Sequence, residues 1–294
     1  MQDKRVIFPG VLVPVLLLVP QLAITLAFFV WPSLRSLQGA LFEQDPFGLS
    51  ERFVGLGNFS RIVADPGYLG SFGVTIVFAL ATTALSMSVA LVLAAVADRA
   101  VRGSGVYKAV IVWPYAVAPA IAGVLWWFLF NPSIGVLPRL LAPLGIVWNH
   151  FLNGNQALLL VIIASAWKQV SYNFLFFLAG LQTIPPSLIE AAEIDGAGAL
   201  ARFRAIVLPL LMPTTFFLAV VNLIYAFCDT FAVIHATTAG GPGTATTTLV
   251  YKVFRDGFES LDLGGSAAQS VVLMLIVGAL TIAQFRYIER RIHY

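Results

Sequence analysis

One lysine of this sequence stands where a charge is costly. Lys168 is the single charged residue in the apolar stretch 157–181, and an ammonium in a stretch of membrane-spanning length is a functional candidate by default. Gln169, Tyr172 and Asn173 supply amide and hydroxyl groups beside it, and helical spacing puts Lys168 and Tyr172 on one face with the other two on the adjoining face. This group suits an anion such as a phosphate ester, because charge-assisted hydrogen bonds are about twice as strong as neutral ones.

A structural role for Lys168 is the alternative interpretation. The ammonium would then pair with a group on another helix or another subunit, or point into a hydrated gap without touching a ligand. Other polar residues in apolar stretches are weaker candidates for ligand contact, because polar side chains in membrane bundles more often join helices to each other. These weaker candidates are Asn222, Tyr225, Asp229, Ser266 and Gln269.

The sequence offers no set of residues for catalysis or metal binding. His150 and His235 have no partner ligands at metal spacing, and the single cysteine, Cys228, excludes a disulfide and cysteine-based metal sites. A phosphate-binding loop of the form GxxxxGKS or GxxxxGKT is absent. We therefore predict no catalytic residue and no metal site, which argues against a membrane-embedded enzyme.

A second organised segment lies between residues 184 and 198. Ser187 and Glu190 have the spacing of a capping box, which predicts a short helix that Gly196 and Gly198 end. An apolar patch and acidic side chains would share its surface: Leu188, Ile189, Ala191, Ala192, Glu190, Glu193 and Asp195. The pattern indicates a docking surface for another protein.

The composition indicates which elements must position these residues. Of the 294 residues, 59% are apolar and 11% are charged, whereas soluble domains are about 25% charged. The charges cluster and leave neutral stretches long enough to cross about 30 Å of hydrocarbon. We predict a single all-α integral membrane domain, 1–294, with six transmembrane helices at about 11–31, 71–97, 107–130, 157–181, 205–228 and 265–286.

The uncharged stretch 230–251 is not counted as a span. It contains Gly240-Gly241-Pro242 followed by a run of threonines, and consecutive Gly and Pro break helices. We predict an irregular or re-entrant loop, which at membrane depth must be buried in protein or line a water-filled cavity.

The basic residues predict the orientation of the chain. They are too few and too scattered to follow a nucleic acid, but they are denser in the short inner segments than in the outer loops, as the positive-inside rule requires. The N-terminus, the C-terminus and the loop 182–203 are therefore predicted to be cytoplasmic. The inner basic residues are Lys4, Arg5, Arg99, Arg102, Lys108, Arg202, Arg204, Arg286, Arg290 and Arg291.

The organised segment matches a longer pattern. Glu190-Ala-Ala, three residues, Gly196, nine residues, Ile206, one residue and Leu208-Pro209 follow in order. This pattern resembles the signature (EAA) loop of the permease subunits of bacterial ATP-binding-cassette (ABC) importers, where the loop helix is the coupling helix that sits in a groove of a partner ATPase. The resemblance implies an ATPase-coupling role for Glu190, Ala191, Ala192, Asp195, Gly196, Leu208 and Pro209.

Further segments indicate the branch of that family. Trp113-Pro-Tyr, Gly240-Gly-Pro and the segment 178–185 resemble the carbohydrate-uptake branch, which includes the maltose permeases. The segments 45–50, 167–177 and 284–287 are similar to the A-type permease subunits of sn-glycerol-3-phosphate importers. The resemblance implies import of sn-glycerol-3-phosphate and related glycerophosphodiesters. The polar residues inside the predicted spans then supply the candidate substrate pathway, which we take as Lys168, Tyr172, Asn173, Asn222, Asp229 and Gln269. A neutral sugar or oligosaccharide is the alternative cargo.

The resemblance also implies the setting. The fold expected is that of a type I ABC importer permease in the bacterial inner membrane. The expected partners are a second homologous permease subunit, two ABC ATPase subunits that bind ATP and Mg, and a periplasmic substrate-binding protein. This chain itself would hold no cofactor and would not be an enzyme. An assembly scaffold is the remaining alternative, although a scaffold would not need a complete coupling signature.

Overall fold

The computed structural model describes residues 12–45, 49–99 and 104–291, and they are helical apart from loops and one hairpin. In the hairpin, β1 (Phe42–Gln44) pairs antiparallel with β2 (Glu51–Phe53), with Phe42 opposite Phe53. The helices are α1 (Leu12–Gly39), α2 (Gly57–Ala64), α3 (Pro66–Arg99), α4 (Ser104–Val112), α5 (Pro119–Phe130), α6 (Val136–Leu141), α7 (Gly154–Gln182), α8 (Pro186–Ile194), α9 (Ala199–Leu210), α10 (Met212–Cys228), α11 (Phe231–Thr237), α12 (Leu249–Phe254) and α13 (Leu263–Arg291).

Four of these helices, α1, α3, α7 and α13, are long and apolar enough to cross a membrane. Two further predicted spans are each a bent pair of shorter helices, and six spans result when each pair counts as one. Span three, predicted at about 107–130, bends by 103° between residues 116 and 119. Span five, predicted at about 205–228, bends by 67° at residue 211. The predicted spans at 107–130 and 205–228 are thus broken rather than continuous helices, because prolines in both segments remove backbone donors and clash with the preceding turn.

The chain divides into two compact units, residues 1–64 with 256–271, and residues 65–255 with 272–294. Several residues used in the sequence predictions, among them Lys4, Arg5 and Arg102, lie outside the described residues, as do 46–48 and 292–294. The orientation and the single membrane domain stay predictions.

The larger unit is built on α3 and α7, which pack side by side. Small residues such as Ala90 and Ala94 on α3 are fully buried, and Phe174 and Phe177 of α7 fill the same core cluster. Small side chains let membrane helices approach closely, which replaces the hydrophobic driving force that lipid does not provide. This packing holds the long helix α7, which carries Lys168, against α3.

The segment 238–248 is irregular, as its Gly and Pro content predicts, and most of its threonines are buried. The hydroxyls of Thr246 and Thr247 donate to the carbonyls of Gly241 and Gly240, both at 3.0 Å. The flanking parts of the uncharged window differ from the prediction, since α11 and α12 are short helices. Gly240 has a φ of +82°, and a Cβ there would lie 2.7 Å from the ring of Tyr251.

The helix α12, which follows this irregular segment, is joined to the first turns of α3 and to Asp65 just before it. The Asp65 carboxylate accepts from the backbone N–H groups of Gly67 and Tyr68 and lies 3.2 Å from the Lys252 ammonium. Burial acts to raise the pKa of Asp65, but the hydrogen bonds and the Lys252 charge together hold that pKa below its ordinary value. The backbone N–H of Leu249 also donates to the Thr75 hydroxyl at 2.8 Å.

The smaller unit contains the hairpin, α2 and the first turns of α13. Asn58 donates to the carbonyls of Ala40 and Phe42, at 3.0 and 2.9 Å. Both carboxylate oxygens of Asp262 accept from one Arg61 nitrogen, at 2.8 and 2.9 Å. These bonds tie the hairpin and α2 together and α2 to the start of α13.

Candidate functional site

A cavity of about 690 Å³ opens beside the middle of α7 in the larger unit. Its walls come from α7, α10 and the bend of span three, so residues far apart in sequence face one space. The lining residues are Tyr115, Pro119, Lys168, Gln169, Tyr172, Val221, Ile224, Tyr225 and Asp229. Three of the six predicted pathway residues, Lys168, Tyr172 and Asp229, are thus brought together.

Lys168 is 7% exposed, and its Nζ donates a hydrogen bond to the backbone carbonyl of Val117. Val117 is extended, with φ −75° and ψ 127°, between the two arms of span three. Among the described residues no carboxylate lies within ion-pair distance of this ammonium. A structural partner therefore exists, as the alternative interpretation expects, but it is a neutral carbonyl and leaves the charge without a counter-ion.

Aromatic and polar groups complete the cavity wall. The ring of Tyr172 stacks on that of Tyr115, with centroids 6.0 Å apart. The Tyr225 hydroxyl is buried and, within the described ranges, has no hydrogen-bond partner of good geometry. Asp229 follows the last turn of α10 and is the acidic residue of the lining. The cavity thus presents one cation, one carboxyl group and several hydroxyls to a ligand.

Asn173 and Asn222 are fully buried and do not line the cavity. Asn222 Nδ2 donates to Asn173 Oδ1 at 2.7 Å, and Asn173 Nδ2 donates to Ser86 Oγ at 3.1 Å. Gln169, which does line the cavity, donates to Asn222 Oδ1 at 3.3 Å. These residues form a network that joins α3, α7 and α10, which is the helix-joining role that polar residues in bundles usually have.

Gln269 lies on α13 in the smaller unit, where its Nε2 donates to Asp256 at 2.7 Å. It is not among the residues that line the cavity beside Lys168. The lining residues that the sequence did not single out include Tyr115 and Pro119. The motif Trp113-Pro-Tyr-Ala-Val-Ala-Pro could have indicated them. Its two closely spaced prolines predict a break between two apolar helices, and such a break exposes neighbouring side chains.

The loop helix α8 begins at Pro186 and ends at Ile194, with Asp195 as its C-cap. The N–H of Ala197 donates to Ala192 O at 2.9 Å and that of Gly196 to Glu193 O at 3.0 Å, which is the Schellman pattern. Gly196 has a φ of +82°, so the predicted glycine termination is confirmed.

The predicted capping box of α8 is wrong. Pro185 is the N-cap residue and no side chain caps the helix, since α8 begins before Ser187. Proline just inside the helix start, here Pro186, loses nothing by lacking an N–H that would have no intrahelical partner. The two prolines therefore set the start of α8, and Ser187 lies within its first turn.

The two faces of α8 differ. Leu188, Ala191 and Ile194 are exposed, Ile194 to 87%, whereas Ile189 and Ala192 are half-buried. On the inner side a groove of about 330 Å³ separates α8 from α3, α7 and α9. Its lining residues are Ala95, Asp98, Leu181, Ile184, Pro186, Ile189, Glu190, Phe203 and Val207.

The other residues of the coupling pattern lie on the surface near α8. Asp195, Leu208 and Pro209 are exposed. The carboxylate of Glu193 pairs with Arg202 of α9 at 2.6 Å. The result is a short helix, fixed at both ends, with an apolar face open to a partner.

Residues 102–294 match the family described as binding-protein-dependent transport system inner membrane component. The chain belongs to this family. It is a multi-pass ABC permease, and its fold is that of type I ABC importer permeases.

Full-length relatives share this assignment. This permease is 58% identical, over 99% of both chains, to the sn-glycerol-3-phosphate transport system permease protein UgpA of Agrobacterium fabrum. It is 55% identical, again over 99% of both, to the protein of the same name from Rhizobium meliloti. In fold it is similar to a chain of a bacterial alginate ABC transporter, with a TM-score of 0.79 at 18% identity over 93% of this chain and 92% of that one.

Proposed function

We propose that this permease carries sn-glycerol-3-phosphate, and related glycerophosphodiesters, across the bacterial inner membrane along a pathway that it forms with a second permease subunit. The observation that carries the proposal is the buried Lys168 ammonium, which faces a cavity and has only a neutral carbonyl as its described partner. A buried cation without a counter-ion is costly, and an anionic substrate would offset that cost. The names of the full-length relatives support the same substrate.

The cavity contains groups for both the phosphate and the glycerol end of such a substrate. Phosphate oxygens would accept from Lys168 and from the hydroxyls of Tyr115 and Tyr172, whereas glycerol hydroxyls can donate to the carboxyl group of Asp229. Gln169 uses its amide N–H on Asn222, which leaves its carbonyl oxygen to accept. Donors for the anion and acceptors for the hydroxyls thus share one space.

Energy would come from partner subunits. We propose that two ABC ATPases bind ATP and Mg, that α8 docks on one of them through Leu188, Ala191 and Ile194, and that a periplasmic binding protein delivers the substrate from outside. This chain then needs no cofactor of its own and performs no catalysis. ATP binding would close the ATPases, carry α8 with them and switch the bundle from inward- to outward-facing, and hydrolysis would reset it.

The test compares two buried lysines in the intact, reconstituted complex. Lys168→Met removes the cavity cation, while Lys252→Met removes an equally buried lysine that pairs with Asp65. A hydrogen bond to a charged group contributes about 1.5–3 kcal/mol, so we expect Lys168→Met to raise the apparent KM for uptake of radiolabelled sn-glycerol-3-phosphate by about 10- to 100-fold. We expect Lys252→Met to lower stability and leave the KM within about twofold, since the Lys252 charge is paired outside the cavity.

The same preparation distinguishes the cargo. Stimulation of ATPase activity by sn-glycerol-3-phosphate, and not by maltose, supports the proposal. Stimulation by a neutral sugar, with equal loss of its transport in Lys168→Met, would overturn the phosphate-ester assignment and favour the neutral cargo. A chain that does not co-purify with an ATPase would overturn the importer role itself.

A further inference from the structure

Three side chains of α7 hold the bend of span three. Lys168 donates to the carbonyl of Val117, and Ser171 Oγ donates to the carbonyl of Ile111 at 2.7 Å. The ring of Tyr172 stacks on Tyr115. The contacts follow one another along a single turn of α7, and they touch span three before, within and after its 3₁₀ turn Trp113–Ala116.

The bend itself explains why the Val117 carbonyl is open to a donor from α7. In a continuous helix each carbonyl accepts from the N–H four residues later. Val117 is extended just before α5 begins at Pro119, so its carbonyl lies outside the hydrogen-bond ladder of α5. That ladder begins one residue later, where the N–H of Ala122 donates to the carbonyl of Ala118.

We infer that the Val117 carbonyl positions the Lys168 ammonium for the anionic group of the substrate, so that anion binding and the bend of span three stabilise each other. This inference rests on the proposed phosphate-ester function of the same cavity. It assigns the 113–118 segment a role as the part of the permease that responds to the charge of its cargo. Val117 acts here through Lys168 and is a positioning group.

The Lys168 ammonium can donate to the Val117 carbonyl and to an anion at the same time. An ammonium has three N–H donors, and Val117 is the acceptor that the structure gives it among the described residues. The donors that remain can reach an anion in the cavity without leaving the carbonyl. Holding a flexible lysine in one rotamer before the ligand arrives lowers the entropy cost of binding.

The sign of the coupling follows from the cost of burial. A conformer with Lys168 at Val117 buries an ammonium without a counter-charge, which is unfavourable. An anion in the cavity supplies that charge and therefore favours the conformer that keeps the bend. By linkage, a change that stabilises the bend raises the apparent affinity for the anion until the bent conformer predominates.

Hydrogen exchange in the intact complex tests the coupling. Hydrogen exchange of the backbone N–H groups within 113–121, other than the two prolines, is followed in lipid nanodiscs. One sample contains sn-glycerol-3-phosphate, and a separate sample contains glycerol as the uncharged probe. Since couplings of this kind usually correspond to fivefold or greater effects, we expect sn-glycerol-3-phosphate to slow exchange at these positions about fivefold or more. We expect glycerol to have no effect.

Three variants identify the group responsible. Without ligand, residues 113–121 should exchange faster in Lys168→Met than in the wild type, and the anion should not slow their exchange. In Lys168→Arg, which keeps the charge and the donors, the anion should still slow exchange. Ser171→Ala should also exchange faster without ligand, because its bond to Ile111 is lost, but should keep the anion response. A purely structural lysine would give Lys168→Met the behaviour of Ser171→Ala.

Two results overturn the inference and can be told apart. If the complex takes up sn-glycerol-3-phosphate but exchange at 113–121 is unchanged or faster with it, the coupling is wrong and the proposed function stands. If the complex neither binds nor transports the anion, the proposed function fails and the inference fails with it.

Discussion

The loop around α8 and the cavity beside α7 are built in opposite ways. In the loop, the helix, its proline start, its glycine end and its exposed apolar residues follow one another within 186–197. The cavity takes its walls from α7, α10 and the bend of span three. The structure of the loop is set by residues that are neighbours in sequence, whereas the cavity exists only when the helices have assembled.

This difference determines which substitutions each region tolerates. In the loop, one residue with an unusual backbone conformation sets where the helix ends. In the cavity, the position of a lining residue depends on a network behind it, as Gln169 depends on Asn222. Three substitutions test the comparison, and the first has the largest expected effect.

Gly196→Val should abolish uptake and ATPase association. The φ of +82° at Gly196 costs an L-residue about 1–2 kcal/mol and a β-branched residue more. No atom lies within 4 Å of a Cβ placed there, so the effect would come from the backbone rather than from a clash. Uptake and co-purification of the ATPase are the measurements.

Gly196→Asn is the matched control for that prediction, because Asn adopts the left-handed conformation more readily than other residues. We expect it to keep most of the uptake and most of the bound ATPase. Equal loss in the Asn and Val variants would mean that the partner requires the absence of a side chain, and the argument from φ would be wrong.

Asn222→Leu should have an intermediate effect. It removes the acceptor of Gln169 and the partner of Asn173, and polar contacts between membrane helices contribute about 0.6–2 kcal/mol. We expect a loss of thermal stability of that order and a rise of a few-fold in the apparent KM for sn-glycerol-3-phosphate.

Ser86→Ala removes a hydroxyl that bonds to Asn173 and Asn222 but not to Gln169, so it should lower stability less and leave the KM unchanged. A rise in KM as large as that of Asn222→Leu would show that the network as a whole, rather than its bond to Gln169, positions the cavity lining. A normal KM in Asn222→Leu would mean that the network does not position the cavity lining.

Glu193→Gln should have the smallest effect. The carboxylate of Glu193 is 65% exposed in its ion pair with Arg202, and exposed pairs contribute about 0–1 kcal/mol. We expect near-normal uptake. The matched variant Glu190→Gln changes the acidic residue of α8 that lines the groove behind this helix, and we expect it to lower uptake clearly. The reverse order of the two effects would contradict the assignment of Glu190 to coupling.

The sequence predicts local features of this permease well. The charge-free windows coincide with the four long apolar helices and the two bent pairs, and Gly196 marks the end of α8, because hydropathy and backbone conformation are properties of neighbouring residues. The start of α8 is misread, because Ser187 fits a capping box while the two preceding prolines already begin the helix.

The arrangement of side chains between helices is harder to predict. Lys168 and Asn173 stand on the same stretch of α7, yet one lines the cavity and the other is sealed between helices. Which role each takes depends on where α3 and α10 lie, and a single sequence does not contain that distance information. The bend of span three has a sequence signal in its prolines, but its direction, and so the approach of Val117 to Lys168, is set by packing.

The bonds between the start of α3 and the segment around α12 have a consequence for how the permease is made. Thr75 and its donor Leu249 are 174 positions apart along the chain, and Asp65 and Lys252 are still farther apart. As the chain leaves the ribosome, α3 enters the membrane before Leu249 and Lys252 have been synthesised, so the Asp65 carboxylate first has only its local donors Gly67 and Tyr68. The N-terminal end of α3 is therefore among the last parts of the larger unit to be secured, and a chain truncated before residue 249 would lack both bonds.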